Sequence, residues 1–164
     1  MRVVVGVSGT PHGATALHRA ADEARVRGAD LWAVLAWKLP GHDPDRRETW
    51  RSTAVARLRE ILDEAFGPAG PGVPLAGLTA LGSPGPVLVD VAQAPDDILV
   101  VGTGTHRGLR RMLAPSTARY CLTRAACPVL VVPPSPLEAA LEAVRRRNAR
   151  GLPLDARELG AVRP

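Results

Sequence analysis

The sequence predicts an α/β fold: a doubly wound, five-stranded parallel sheet with helices on both faces. Residues 3–7, 31–37, 73–81, 98–101 and 129–132 are short apolar runs of the kind buried inside parallel sheets. The segments between them keep helical spacing and are long enough for right-handed crossovers. A length of 164 residues with 46% hydrophobic content suits one domain with a proper core and does not fit a disordered chain.

Taken in order, 3–7 is strand one. The following helix lines up Ala14, Leu17, Ala21 and Ala24 on one face, turns Arg19, Asp22, Glu23 and Arg25 to water, and ends at Gly28. Strand two, 31–37, is stopped by Pro40 and Gly41. Asp43 or Asp45 can cap a second helix that carries Trp50, Ala54, Leu58, Ile61, Leu62 and Ala65 at helical spacing. A Gly/Pro-rich loop at 67–72 leads into strand three, 73–81, where Pro74 and Gly77 point to a sheet edge. Pro84 or Pro86 starts a short helix with Val87, Leu88, Val91 and Ala92 inward. Strand four (98–101), a helix over 116–124 and strand five (129–132) complete a domain ending near Pro133.

The rest, 134–164, reads as an extension. Pro133, Pro134 and Pro136 make a stiff break, and Ser135 can cap a helix over about 135–147. Its apolar stripe is Leu137, Ala140, Leu141 and Val144. Glu138, Glu142 and Arg146 recur every four residues on another face. Periodicity fades past Asn148.

Composition excludes several functions. No apolar run approaches the roughly 18 residues of a membrane span, and the first residues enter a strand pattern directly, so the expected location is cytoplasmic. Cys121 and Cys127 have no second pair, and therefore read as small buried hydrophobes rather than as zinc or redox ligands. Net charge is +5, carried almost wholly by arginine, Lys38 being the one lysine. Three Trp, one Tyr and one Phe are too few for a base-stacking platform, so nucleic acid is not the expected partner. His12 and His106 lie in loops without a Ser-His-Asp or metal-ligand spacing, and read as solvated. No GxxxxGK[ST] or GxGxxG fingerprint occurs. Trp32, Trp37 and Trp50 read as packing.

The most informative stretch is 98–117. An apolar strand runs into Gly102, Thr103 and Gly104, and Ser116-Thr117 then opens a helix. Backbone N–H groups in such a turn and at such a helix start suit a phosphate or another anion. From Ile98 to Leu137 there is no Asp or Glu, while Arg107, Arg110, Arg111, Arg119 and Arg124 are present. In a doubly wound sheet, ligands bind past the carboxyl ends of the strands where the winding reverses. Ser8, Gly9, Thr10 and Pro11 would then face Gly102, Thr103, Gly104 and Thr105 across one crevice.

At its start, VVVGVSGTPHGATALHRAADEA, its centre, LGSPGPVLVDVAQAPDDILVVGT, and its end, GTGTHRGLRRMLAPSTARYCLTRAACPVLVVP, the chain resembles the universal stress proteins over about residues 2–133. The resemblance implies strand order 3-2-1-4-5 in a Rossmann-like, adenine nucleotide alpha hydrolase-like sandwich, and homodimers made through the last strand, 129–132. Some members bind ATP, with the signature G-x-x-G-x9-G-[ST] and an acidic residue closing strand one. Here Gly102 opens the signature and Ser116 is retained. Thr105 and Pro115 stand at the second and third glycine positions, and Ser8 stands where the binders carry Asp.

Pro115 lacks a donor, Thr105 carries a Cβ that keeps a ligand away, and Ser8 brings no carboxylate to a ribose. Each loss costs about 1–3 kcal/mol, and together roughly 3–6 kcal/mol. That turns a micromolar site, near −8 kcal/mol, into one around millimolar or weaker. The expected function is a non-enzymatic stress-response homodimer with a vestigial nucleotide crevice, acting through a protein partner the sequence does not name. No catalytic residue, metal ligand or required cofactor is expected, and ATP only as a low-affinity ligand. Ser8, Gly9, Thr10 and Ala36 would hold the nucleoside, and Gly102, Thr105, Ser116 and Thr117 the phosphates. The alternative is an ATP-dependent switch.

Overall fold

The computed structural model describes residues 1–8, 11–39, 46–103, 116–136, 140 and 144. The elements run β1 (Arg2–Gly6), α1 (Pro11–Arg27), β2 (Asp30–Trp37), α2 (Arg47–Phe66), a 3₁₀ turn (Gly67–Ala69), β3 (Leu75–Leu81), α3 (Pro84–Val91), β4 (Ile98–Gly102), α4 (Thr117–Arg124) and β5 (Val129–Val132). The strands form one sheet in the order β3-β2-β1-β4-β5, parallel throughout. This is the order implied by the family resemblance, with β3 and β5 at the edges.

Alternation along each strand divides the core into two layers. Val3, Val5 and Val7 join Leu31 and Ala33 beneath α1 and α2, where Ala16, Leu17, Ala20, Ala21, Ala24, Leu58 and Ile61 close the packing. Val4, Val34, Leu99 and Val101 face the other way, onto Val87 and Leu88 of α3 and Ala118 and Cys121 of α4. Alanines dominate the buried face of α1, which lets that helix lie close to the sheet. α1 ends where Gly28 takes φ +59° and donates to the Arg25 carbonyl at 3.3 Å, while the Ala29 N–H reaches the Ala24 carbonyl at 3.0 Å. That pair of bonds satisfies carbonyls the helix would otherwise leave open.

A polar pin holds the amino end of the sheet. Asp97, 1% exposed, accepts from the Arg2 backbone N–H at 3.0 Å and from its Nε and Nη2 at 3.1 and 2.5 Å. The guanidinium also lies 4.7 Å from the centre of the Trp32 ring. Burial pushes the Asp97 carboxyl up, but the bonds from Arg2 outweigh it and hold the group below its ordinary range.

Several local readings need correction. Trp50, expected on the packed face of α2, is 36% exposed; only Ala54, Leu58 and Ile61 of that helix are buried. It sits in the first turn, where a periodic position need not have sheet beneath it. Strand one runs over residues 2–6, although the Val7 N–H still reaches the Val34 carbonyl at 2.9 Å. Strand three begins at Leu75, after Pro74. α2 starts after Arg46, whose side chain makes no cap bond; Asp43 and Asp45 lie outside the described residues.

The chain divides into two compact units, Met1–Pro133 and Pro134–Pro164. In the second, Pro136, Ala140 and Val144 have helical backbone. Leu137 and Leu141 of the expected stripe lie outside the described residues.

Candidate functional site

The winding reverses between β1 and β4, which pair in parallel with Val5 beside Val100. On the other side of β1, Gly6 pairs with Val34 of β2. Continuing these registers puts Ser8 level with Ala36 on β2 and with Thr103 just past β4. Neighbouring strands lie about 4.8 Å apart. Ser8, Ala36 and Gly102 therefore gather at the carboxyl end of three adjacent strands. The Thr103 N–H is taken by the Val132 carbonyl at 3.0 Å, so β5 fixes the start of the glycine turn.

α4 returns from this end of the sheet to the start of β5, so its N-terminus sits at the same end. Ser116 caps it in an extended conformation, its Oγ accepting from the Arg119 N–H at 3.5 Å. Thr117 is half-buried in the first turn. The positive end of the helix dipole and the open N–H groups of that turn favour an anion there. Gly9, Thr10 and Thr105, together with Pro115, His106, Arg107, Arg110 and Arg111, lie outside the described residues. Five of the eight expected site residues, Ser8, Ala36, Gly102, Ser116 and Thr117, thus share one end of the sheet.

Two features of this end were not anticipated. Gly13, in the first turn of α1, presses on Ser8: a Cβ there would lie 2.6 Å from the Ser8 carbonyl oxygen and 3.1 Å from its Oγ. A glycine three residues into a predicted helix, where alanine is the better helix former, was the available signal. Trp37, ending β2, has its indole N–H buried without an acceptor among the described residues. An unused donor of this kind has no sequence signature.

Chemically, the described part of the site is neutral and polar. Ser8, Thr103, Ser116 and Thr117 bring hydroxyls to this end of the sheet, and none of these residues carries a carboxylate. Among the described residues no three of His, Cys, Asp and Glu gather as metal ligands, and no helix is long and apolar enough to cross a membrane. Cys121 is free and buried, its thiol pushed up to about 11 by burial and by Cys127 nearby. Cys127 is also free and buried, and burial, with Asp97 adding to it, raises its thiol too. Both act as packing atoms.

The comparisons agree with this geometry. Residues 1–133 match the universal stress protein family. Universal stress protein Rv2005c of Mycobacterium tuberculosis is 32% identical over 135 residues, covering 79% of this chain and 44% of its own length. The chain thus spans under half the length of the curated relatives it matches. A crystal structure of a universal stress protein in complex with cAMP superposes with a TM-score of 0.65 at 26% identity, covering 82% of this chain and 98% of the other. UspA from Lactobacillus plantarum superposes with a TM-score of 0.60 at 22% identity, covering 80% and 97%, and supports the fold. On the family match, the curated relatives and the strand order together, the chain belongs to the universal stress protein family.

Proposed function

We propose that this universal stress protein is a non-enzymatic stress-response protein of the cytoplasm, with a weak nucleotide crevice at the carboxyl ends of β1, β2 and β4. The observation that carries the reading is Ser8, a neutral hydroxyl closing β1 where a ribose-binding carboxylate is needed for tight ATP binding. Ala36 and Ser8 would face the nucleoside, with Gly9 and Thr10 beside them. Gly102, Thr105, Ser116 and Thr117 would face phosphate, helped by the dipole of α4. The relative solved with cAMP supports an adenine nucleotide as the ligand class. Turnover is not part of this reading.

The protein would act as a homodimer through β5, whose half-buried Val129, Leu130 and Val131 lie at a sheet edge. A second reading, an ATP-dependent switch, is favoured by Gly102 and Ser116, which keep the ends of the ATP-binding signature at one end of the sheet. Calorimetric titration separates the two. The weak-crevice reading expects a dissociation constant for Mg·ATP of about 1 mM or more. A value at or below tens of micromolar would retire it for the switch. Light scattering that finds only a 17.3 kDa species would overturn the dimer.

A further inference from the structure

We propose that the outer edge of β3, which no other strand pairs among the described residues, is a second self-association site, on which another copy of this chain adds its own β3 antiparallel about a two-fold axis at Leu78. Edge strands are normally guarded by charge, a bulge or a covering element. β3 pairs with β2 without interruption over all seven residues. No charged residue occurs from Ala65 through Val89, so the strand and its flanking segments bring no charge that would repel an identical strand. Three of its side chains, Leu75, Leu78 and Leu81, are 38%, 36% and 41% exposed.

The occupant follows from the strand itself. Leu75-Ala76-Gly77-Leu78-Thr79-Ala80-Leu81 reads nearly the same in both directions about its centre. A two-fold through Leu78 sets Leu75 against Leu81, Ala76 against Ala80, Gly77 against Thr79, and Leu78 against itself. An isologous contact needs a surface complementary to its own copy, and this strand has one.

The backbone agrees with that register. The Pro74 carbonyl accepts from the Leu31 N–H at 2.9 Å, and the Gly82 N–H donates to the Trp37 carbonyl at 2.8 Å. Even-numbered residues therefore spend their backbone groups on β2, and Leu75, Gly77, Thr79 and Leu81 direct theirs to the open edge. In the Leu78-centred register these four residues lie opposite one another, Leu75 to Leu81 and Gly77 to Thr79, as hydrogen-bonded pairs. None of the four is proline. Pro74 points inward, so its missing donor costs the outer ladder nothing. This edge lies across the sheet from β5 and does not depend on pairing there.

Cysteine crosslinking at the axis tests the register. Leu78→Cys places its thiol opposite its own copy, with Cβ atoms about 4.5–5.5 Å apart. Leu75→Cys places two copies of itself about 20 Å apart. Under mild oxidation, Leu78→Cys is expected to give a disulfide-linked dimer about tenfold faster than Leu75→Cys, because only the first pair meets disulfide geometry. Mixing Leu75→Cys with Leu81→Cys is expected to restore crosslinking. Sedimentation of Leu78→Lys, with two like charges on the axis, is expected to give a lower mean mass than the unaltered chain at equal concentration. Equal, slow crosslinking of Leu78→Cys and Leu75→Cys, or an unchanged mass for Leu78→Lys, would overturn the proposal.

Discussion

Replacing Asp97 by asparagine tests the polar pin that closes the amino end of the sheet. The wild-type carboxylate accepts three hydrogen bonds from Arg2, one from the backbone and two from the guanidinium. Asparagine keeps an acceptor for the backbone N–H, but turns an NH2 group toward a guanidinium that has only donors. Hydrogen bonds to a charged group contribute about 1.5–3 kcal/mol each before compensation. Arg2 is 29% exposed and also donates to the Val91 carbonyl at 3.3 Å, so water and that carbonyl recover part of the loss. The net cost at pH 7 is about 2–3 kcal/mol, or roughly 6–12 °C in melting temperature for a domain of this size. Asp97→Ala also strands the Arg2 N–H and costs about 3–4 kcal/mol.

The pH dependence follows from the direction of the Asp97 shift. Its folded-state pKa lies below the unfolded carboxyl value of about 3.9. The pair's stabilisation is therefore full above that unfolded value and disappears as pH falls through the folded one. Thermal melts of the wild type and Asp97→Asn are expected to differ most near neutrality, to begin closing near the unfolded value of about 3.9, and to converge only below the lower folded-state pKa. Equal melting temperatures at pH 7, or a gap that persists undiminished in acid, would refute the assignment.

Gly13→Ala normally stabilises a helix by up to about 1 kcal/mol. Here the 2.6 Å approach to the Ser8 carbonyl reverses the sign, and differential scanning fluorimetry is expected to show a net loss of about 1–2 kcal/mol. Gly85→Ala drives a Cβ to 2.8 Å from the Tyr120 ring and is expected to cost about 1–3 kcal/mol in urea titrations. Ser116→Ala removes the α4 cap; with its bond stretched to 3.5 Å, the cost is expected at the low end, about 0.5–1 kcal/mol. Cys121 and Cys127 are expected to resist a thiol reagent at pH 8 in the folded protein and to react fully in denaturant. Stoichiometric labelling of the native chain would contradict their burial.

The architecture was legible because valine-rich runs such as Val3-Val4-Val5 and Leu99-Val100-Val101 are buried on both faces, and such runs leave a strong one-dimensional trace. The edge position of β3 was expected from Pro74 and Gly77, but Pro74 precedes the strand and faces β2, so the expectation was met without the missing donor lying on the open side. The Asp97–Arg2 pin was not legible, because its partners lie 95 residues apart and neither stands out locally. Trp50 misled because helical spacing records a face but not how far the sheet extends beneath it. At the crevice, the alternation of strands and helices was enough to expect Ser8, Gly102 and the start of α4 at one end of the sheet, whereas Ala36 came only from the family resemblance. Gly13 was passed over because a contact between helix and loop backbone depends on a missing side chain.

Restoring the absent groups measures the crevice most directly. Ser8→Asp, Thr105→Gly and Pro115→Gly, made together, return a carboxylate and two open backbone positions. Mg·ATP affinity by calorimetry is expected to rise at least about 100-fold over the unaltered chain, the lower end of the roughly 3–6 kcal/mol assigned to those positions. An unaltered chain that already binds Mg·ATP at micromolar concentration, or a folded triple variant that gains nothing, would contradict the account.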